Sequence, residues 1–259
     1  MMKNWKVVLL LAAGLTFSGF VSNPAFAVSS PASIYIVHGI PGHDVSEGLD
    51  PALPVDVLVD GSICLVKGLK FGDIAGPFSI PANTYSIAIS LANSVTPCSN
   101  GALLGPVDVT FTAGENASVV AYLSPGSTGP VPGVTVFKNN LTATPAGESR
   151  LIVQHTADAP AVDITVSRDA FVFAIDPRIT TLAVVHDVTN GQQAVAALSS
   201  GAANNFPLTT VSLTPAGESS PVIGPYYFQL VPHTAYLIYA VGSLNTGSFT
   251  LITKAIPGV

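Results

Sequence analysis

Along much of the chain, apolar and polar side chains alternate. Tyr85-Ser86-Ile87-Ala88-Ile89-Ser90, Val107-Asp108-Val109-Thr110-Phe111-Thr112 and Thr209 to Leu213 all repeat with period two. That spacing puts the apolar groups on one face of a strand. Val, Ile, Thr and Tyr dominate these stretches, as suits a half-buried pleated surface. Turn chemistry separates them: Asp60-Gly61, Pro81-Ala82-Asn83, Ala113-Gly114-Glu115, Pro125-Gly126 and Pro215-Ala216-Gly217. Short strands at this spacing predict an all-β chain built of two-sheet sandwiches. Gln192 to Leu198 is the one stretch read as a short helix.

The pattern occurs twice. Ile34-Tyr35-Ile36-Val37-His38 is echoed by Leu151-Ile152-Val153-Gln154-His155, and Pro54-Val55-Asp56-Val57-Leu58-Val59 by Ala161-Val162-Asp163-Ile164-Thr165-Val166. Leu104-Gly105-Pro106 returns as Ile223-Gly224-Pro225, and Ser118-Val119-Val120-Ala121-Tyr122 as Tyr236-Leu237-Ile238-Tyr239-Ala240. His38 lies farther from Asp56 than His155 does from Asp163, so the first copy carries an insert, roughly Gly42 to Pro51. The repeat predicts two tandem immunoglobulin-like β-sandwich modules, residues 31–140 and 150–259, joined by a linker at 141–149. Each is large enough for one core. Thr144-Pro145-Ala146-Gly147-Glu148-Ser149 recurs word for word at Thr214 to Ser219, at non-equivalent places in the repeat, and is read as shared turn chemistry.

Residues 1–27 carry the marks of a cleaved signal peptide. Lys3 and Lys6 precede the apolar or small-residue run Val7 to Leu15, and Ala25-Phe26-Ala27 supplies the small-x-small cleavage pattern. The apolar run is shorter than the about 20 residues a membrane span needs. The expected location is therefore outside the cytoplasm: periplasm, cell surface or medium.

Composition narrows the classes further. Only 9% of residues are charged, 48% are hydrophobic, and 9 Lys and Arg face 15 Asp and Glu for a net charge of −6. Nine cations spread over this length cannot build the basic face that nucleic acid requires, and anionic lipid is disfavoured for the same reason. Low charge with high hydrophobicity is also the reverse of a disordered composition. The two cysteines of an exported chain predict a Cys64–Cys98 disulfide. Closing a loop of about 35 residues contributes on the order of 3–4 kcal/mol in the chain-entropy picture. Neither cysteine has a metal or C-x-x-C spacing.

Val153-Gln154-His155-Thr156-Ala157-Asp158-Ala159-Pro160-Ala161-Val162-Asp163 resembles the opening signature of domain-of-unknown-function family 4397. Phe71-Gly72-Asp73, Ile80-Pro81-Ala82-Asn83-Thr84-Tyr85 and the Ala113-Gly114-Glu115 turn support the resemblance, which runs from Ile34 onward through both halves. It implies a β-sandwich module of exported bacterial proteins, often in tandem, with no established activity. The first copy departs from the signature where its insert splits His38 from Pro54-Val55-Asp56.

Candidate chemistry is sparse. His38 and His155, with Asp56 and Asp163, are the only polar positions both copies keep inside apolar surroundings. They are read either as a His–Asp general-base pair or as hydrogen bonds tying the first strand to the second and fixing register. No nucleophile or oxyanion motif accompanies them, which favours the structural role. His43, Asp44, Glu47 and Asp50 crowd the insert, but their spacing is not that of a calcium loop, so a plain acidic loop is expected and no metal or other cofactor. Nucleophile-elbow, zincin, phosphate-loop and dinucleotide motifs are missing from the sequence. The expectation is a non-catalytic structural, adhesion or binding protein taking a protein or glycan ligand through loops of the first module, with the second as spacer. The alternatives are an accessory carbohydrate-binding or hydrolytic domain, or a periplasmic carrier with an apolar pocket between its modules.

Overall fold

The alternating stretches are strands. A computed structural model describes residues 29–170, 178–200 and 208–259; the expected signal peptide lies outside them. The first half comprises β1 (Ala32–His38), a short helix α1 (Gly42–Val45), β2 (Val55–Val59), β3 (Ile63–Leu69), β4 (Ile74–Ile80), β5 (Asn83–Leu91), β6 (Ala102–Phe111), β7 (Asn116–Ser124) and β8 (Val131–Lys138). The second comprises β9 (Glu148–His155), β10 (Val162–Ala170), β11 (Arg178–Val188), β12 (Gln193–Ser199), β13 (Leu208–Pro215), β14 (Ile223–Phe228), β15 (Thr234–Val241) and β16 (Thr250–Pro257).

Four four-stranded sheets result, ordered β4-β1-β7-β8 and β3-β2-β5-β6 in the first half, β12-β9-β15-β16 and β11-β10-β13-β14 in the second. Adding eight to each strand number of the first pair reproduces the second. The fold is thus all-β, in two sandwiches of the same topology. The repeated words are visible locally. Gly105 and Gly224 hold φ of +84° and +109°, and a Cβ at either would meet a backbone oxygen of the neighbouring strand, Ile87 O at 2.6 Å or Val211 O at 2.8 Å. The Thr-Pro-Ala-Gly-Glu-Ser words close alike, with Glu148 N–H donating to Pro145 O and Glu218 N–H to Pro215 O.

Gln192 to Leu198 corrects the expected helix. Gln193–Ser199 is the edge strand β12, paired antiparallel to β9 from Gln193↔Gln154 to Ser199↔Glu148. Its alanines favour helix in isolation, but Ala194 and Leu198 are buried while Gln193, Val195 and Ala197 are exposed, and the docking of the buried face on β9 overrides local propensity.

Each sandwich has its own core. Ile34, Ile36, Val57, Ile87, Ile89, Phe111, Val119 and Leu123 fill the first; Leu151, Val153, Ile164, Val211, Leu213 and Ile238 fill the second. A third apolar cluster lies between the sandwiches: Tyr35, Val37, Val120 and Phe137 from one side against Ile152, Leu237, Tyr239 and Val241 from the other. The central strands β1 and β7, and β9 and β15, are therefore largely covered on both faces. Both central pairs are parallel, and all eight residues of β15 are buried, as expected of parallel strands covered on each side.

Candidate functional site

His38 and His155 occupy the same place in the two sandwiches, at the ends of β1 and β9, and are 1% and 0% exposed. His38 Nε2 lies 2.8 Å from Leu53 O, just before β2, and His155 Nε2 lies 2.9 Å from Pro160 O, just before β10. A carbonyl only accepts, so Nε2 carries a proton, and with an N–H donor facing Nδ1 the ring is neutral. Nδ1 faces the N–H of Ile40 in one copy and of Ala157 in the other, 3.4 Å away in each. Burial lowers both imidazoles below their ordinary pKa, outweighing the carbonyl bonds.

The aspartates do a different job. Asp56 Oδ1 accepts from Gly68 N at 2.9 Å, and Asp163 Oδ1 accepts from Asp187 N at 3.0 Å. Gly68 and Asp187 both have left-handed φ, +62° and +57°, and both sit where the neighbouring pairing slips register. Each carboxylate thus secures a β-bulge on the adjacent strand. His and Asp share no hydrogen bond in either copy: one reaches from the first strand toward the entry to the second, the other from the second to the third.

Asp56 does more than Asp163. Its Oδ2 also accepts from Asn93 N at 3.1 Å and Cys98 N at 2.7 Å. Burial works to raise this carboxyl, and the three N–H donors with Lys67 outweigh it, so its pKa falls below the ordinary value. Asp163 instead is lowered by the Asp187 N–H and by His186, whose Nδ1 lies 3.1 Å from Oδ2.

Cys64 and Cys98 are bonded, with Cα atoms 5.7 Å apart. The loop from Ala92 to Gly101 is consequently held at three points. The disulfide anchors it to β3, Asp56 grips its backbone twice, and Asn93 caps Val95 and Thr96 through Oδ1 at 3.0 and 2.9 Å. Val95 at its tip is 89% exposed.

The insert is only partly a solvated loop. Asp50 Oδ1 caps Ala52 N at 2.9 Å and Glu47 is exposed. Asp44 instead has a fully buried side chain, 3.1 Å from His43 Nε2, and its Oδ2 accepts from Ser248 Oγ of the second sandwich. Ser248 Oγ in turn receives the N–H of Ser243, whose own hydroxyl donates to Asp158 Oδ2 at 2.7 Å. Among the described residues, no three His, Cys, Asp or Glu side chains gather into a metal-holding group.

Sequence reasoning missed this junction and a second one. Ser118 Oγ and Tyr239 OH lie 2.7 Å apart across the sandwich boundary, Asn139 Nδ2 donates to Ser118 Oγ at 2.8 Å, and Gln154 Nε2 donates to Asn139 Oδ1 at 3.0 Å. Burial pushes the Tyr239 phenol well above its ordinary pKa. The available signal was the unbroken apolar run Tyr236 to Ala240, which does not alternate as β5 and β6 do.

Comparison with known proteins adds the family and little more. No curated protein matches the chain. Among solved structures, the Bacillus anthracis TIE protein aligns with 82% of this chain and 34% of its own at 12% identity and a TM-score of 0.24. A leucine-rich repeat protein from Bacteroides thetaiotaomicron aligns with 83% of this chain and 26% of its own at 14% identity and a TM-score of 0.23. The chain thus spans about a third or less of those proteins. The family described as "Domain of unknown function (DUF4397)" matches residues 32–165, from the first strand through the first sandwich to β10 and its bulge-holding Asp163, and the chain belongs to that family.

Proposed function

We propose that this is an exported, non-catalytic binding protein made of two copies of one family domain, residues 31–140 and 150–259 connected through 141–149. Identical strand order in the two halves supports the second copy; β9 begins at Glu148, just inside the expected connection. The repeated His and Asp side chains are committed to backbone partners, which supports a structural role for them rather than acid–base chemistry.

The observation that carries the binding role is the loop from Ala92 to Gly101. It is locked by a disulfide and by Asp56, yet presents Val95 almost fully to solvent. A loop held in one shape loses little entropy on binding, and a rigid scaffold displaying a loop is a common arrangement for recognition. The partner is a protein surface with an apolar contact for Val95, in the periplasm, at the cell surface or in the medium. The insert contributes at the junction instead, through Asp44. A carrier pocket between the sandwiches finds no support, because that face is filled by buried side chains.

Fractionating the native organism tests export, and recovery in the cytoplasm overturns it. Cross-linking in the fraction that holds the protein, with Val95→Asp beside the unaltered chain, tests the loop. The substitution is expected to abolish partner capture with melting unchanged; undiminished capture overturns the assignment.

A further inference from the structure

Between the two sheets of the first sandwich lies a cavity of about 150 Å³. Ile34, Ile87 and Phe111, each 1–2% exposed, form its floor; Val59 and Tyr85 line its walls; and Ile63, 53% exposed, stands at its mouth. The side chains facing it are apolar except for the Tyr85 hydroxyl, which donates to Pro81 O at 2.9 Å. Among the described residues of the second sandwich, a space lined by Leu151, Ile164, Val166 and Val185 measures about 10 Å³.

An empty space in a core forfeits dispersion contacts and destabilises the fold. We propose that the first sandwich binds a small apolar molecule with a single ring in this cavity. The volume sets the size, since a cavity of about 150 Å³ walled by Ile, Leu and Phe accommodates benzene and falls short of the about 300 Å³ or more of a drug-sized site. The lining sets the chemistry, since a sugar would bury hydroxyls with no partner. Partial exposure of Ile63 provides the way in. The proposal does not depend on export or on the Val95 loop.

Benzene is the probe, added to the full chain with methyl groups observed by NMR. Saturable shifts are expected at Ile34 and Ile87, with Ile164 of the second sandwich unmoved. At about ten times Kd the melting temperature should rise by about 3 °C. Val59→Phe fills the cavity and should remove both responses, while Val166→Phe in the second sandwich should keep them. Absence of saturable shifts at Ile34 and Ile87 in the unaltered chain overturns the proposal. So does an undiminished response in a folded Val59→Phe variant, or saturable binding of galactose at the same methyls.

Discussion

Two histidines and two aspartates illustrate how one residue type at equivalent positions acquires different weight. His38 and His155 are neutral and buried, and their folded pKa values lie below the ordinary 6.5. The unfolded chain therefore takes up these protons first as pH falls. Their contribution to stability is complete above pH 6.5 and is lost as pH drops below it toward the folded values. Melting temperature followed from pH 8 to pH 5 should decline through that window, and a His38→Gln, His155→Gln double variant should flatten the decline. The removal of one ring, His155→Ala, leaves the Pro160 carbonyl unpartnered and should cost about 1–3 kcal/mol, read by denaturant unfolding. Asp56 adds a second acid step of the same sign: stability present above 3.8 is lost as pH falls through the depressed folded value. Asp56→Ala strands three N–H donors and should destabilise by about 2 kcal/mol or more. Asp163→Ala, at the more exposed copy, should cost clearly less.

At the scale of elements, the stapled loop and the insert are departures of the first sandwich from the repeat, and they face different tasks. Reducing Cys64–Cys98 releases the loop from β3 and should cost about 3 kcal/mol. Hydrogen exchange should then quicken at Asn93 and Cys98, whose amides Asp56 holds, while β13 to β16 stay protected. The insert turns on Gly42, where a Cβ would lie 2.0 Å from Asp50 O, and delivers Asp44 to Ser248. Ser248→Ala should therefore weaken the contact between sandwiches without altering the β1–β7 pairing. Alternation made β5 and β6 legible because one face of each is wet. β12 was not legible, because alanine carries little pattern and only the β9 partner distinguishes its faces.

The whole molecule is joined through the outer faces of two sheets. Eight buried apolar side chains and the Ser118–Tyr239 bond close that boundary, and Gly39 sits against it so tightly that a Cβ would meet Val241 Cγ1 at 2.8 Å. The two sandwiches are expected to unfold in one calorimetric transition. Leu237→Asp places an unpaired charge in the cluster and should split that transition into two, with faster proteolysis between Asn139 and Gly147. A single unshifted transition would show that the boundary carries no coupling.

From the residues alone came the all-β class, the two-sandwich organisation, the disulfide pair and the family resemblance. These rest on periodicity, turn chemistry and matching words, all local along the chain. The same residues singled out His38, His155, Asp56 and Asp163 but left their partners open, because a hydrogen bond to a backbone group leaves no mark on the partner's side chain. Which faces met was decided in three dimensions. Continuous apolar runs say that both sides of a strand are dry, not what lies against them. The Asp44–Ser248 contact joins residues 204 positions apart, and the cavity of the first sandwich depends on how closely two sheets approach. Packing sets both, and packing is a property of the assembled layers.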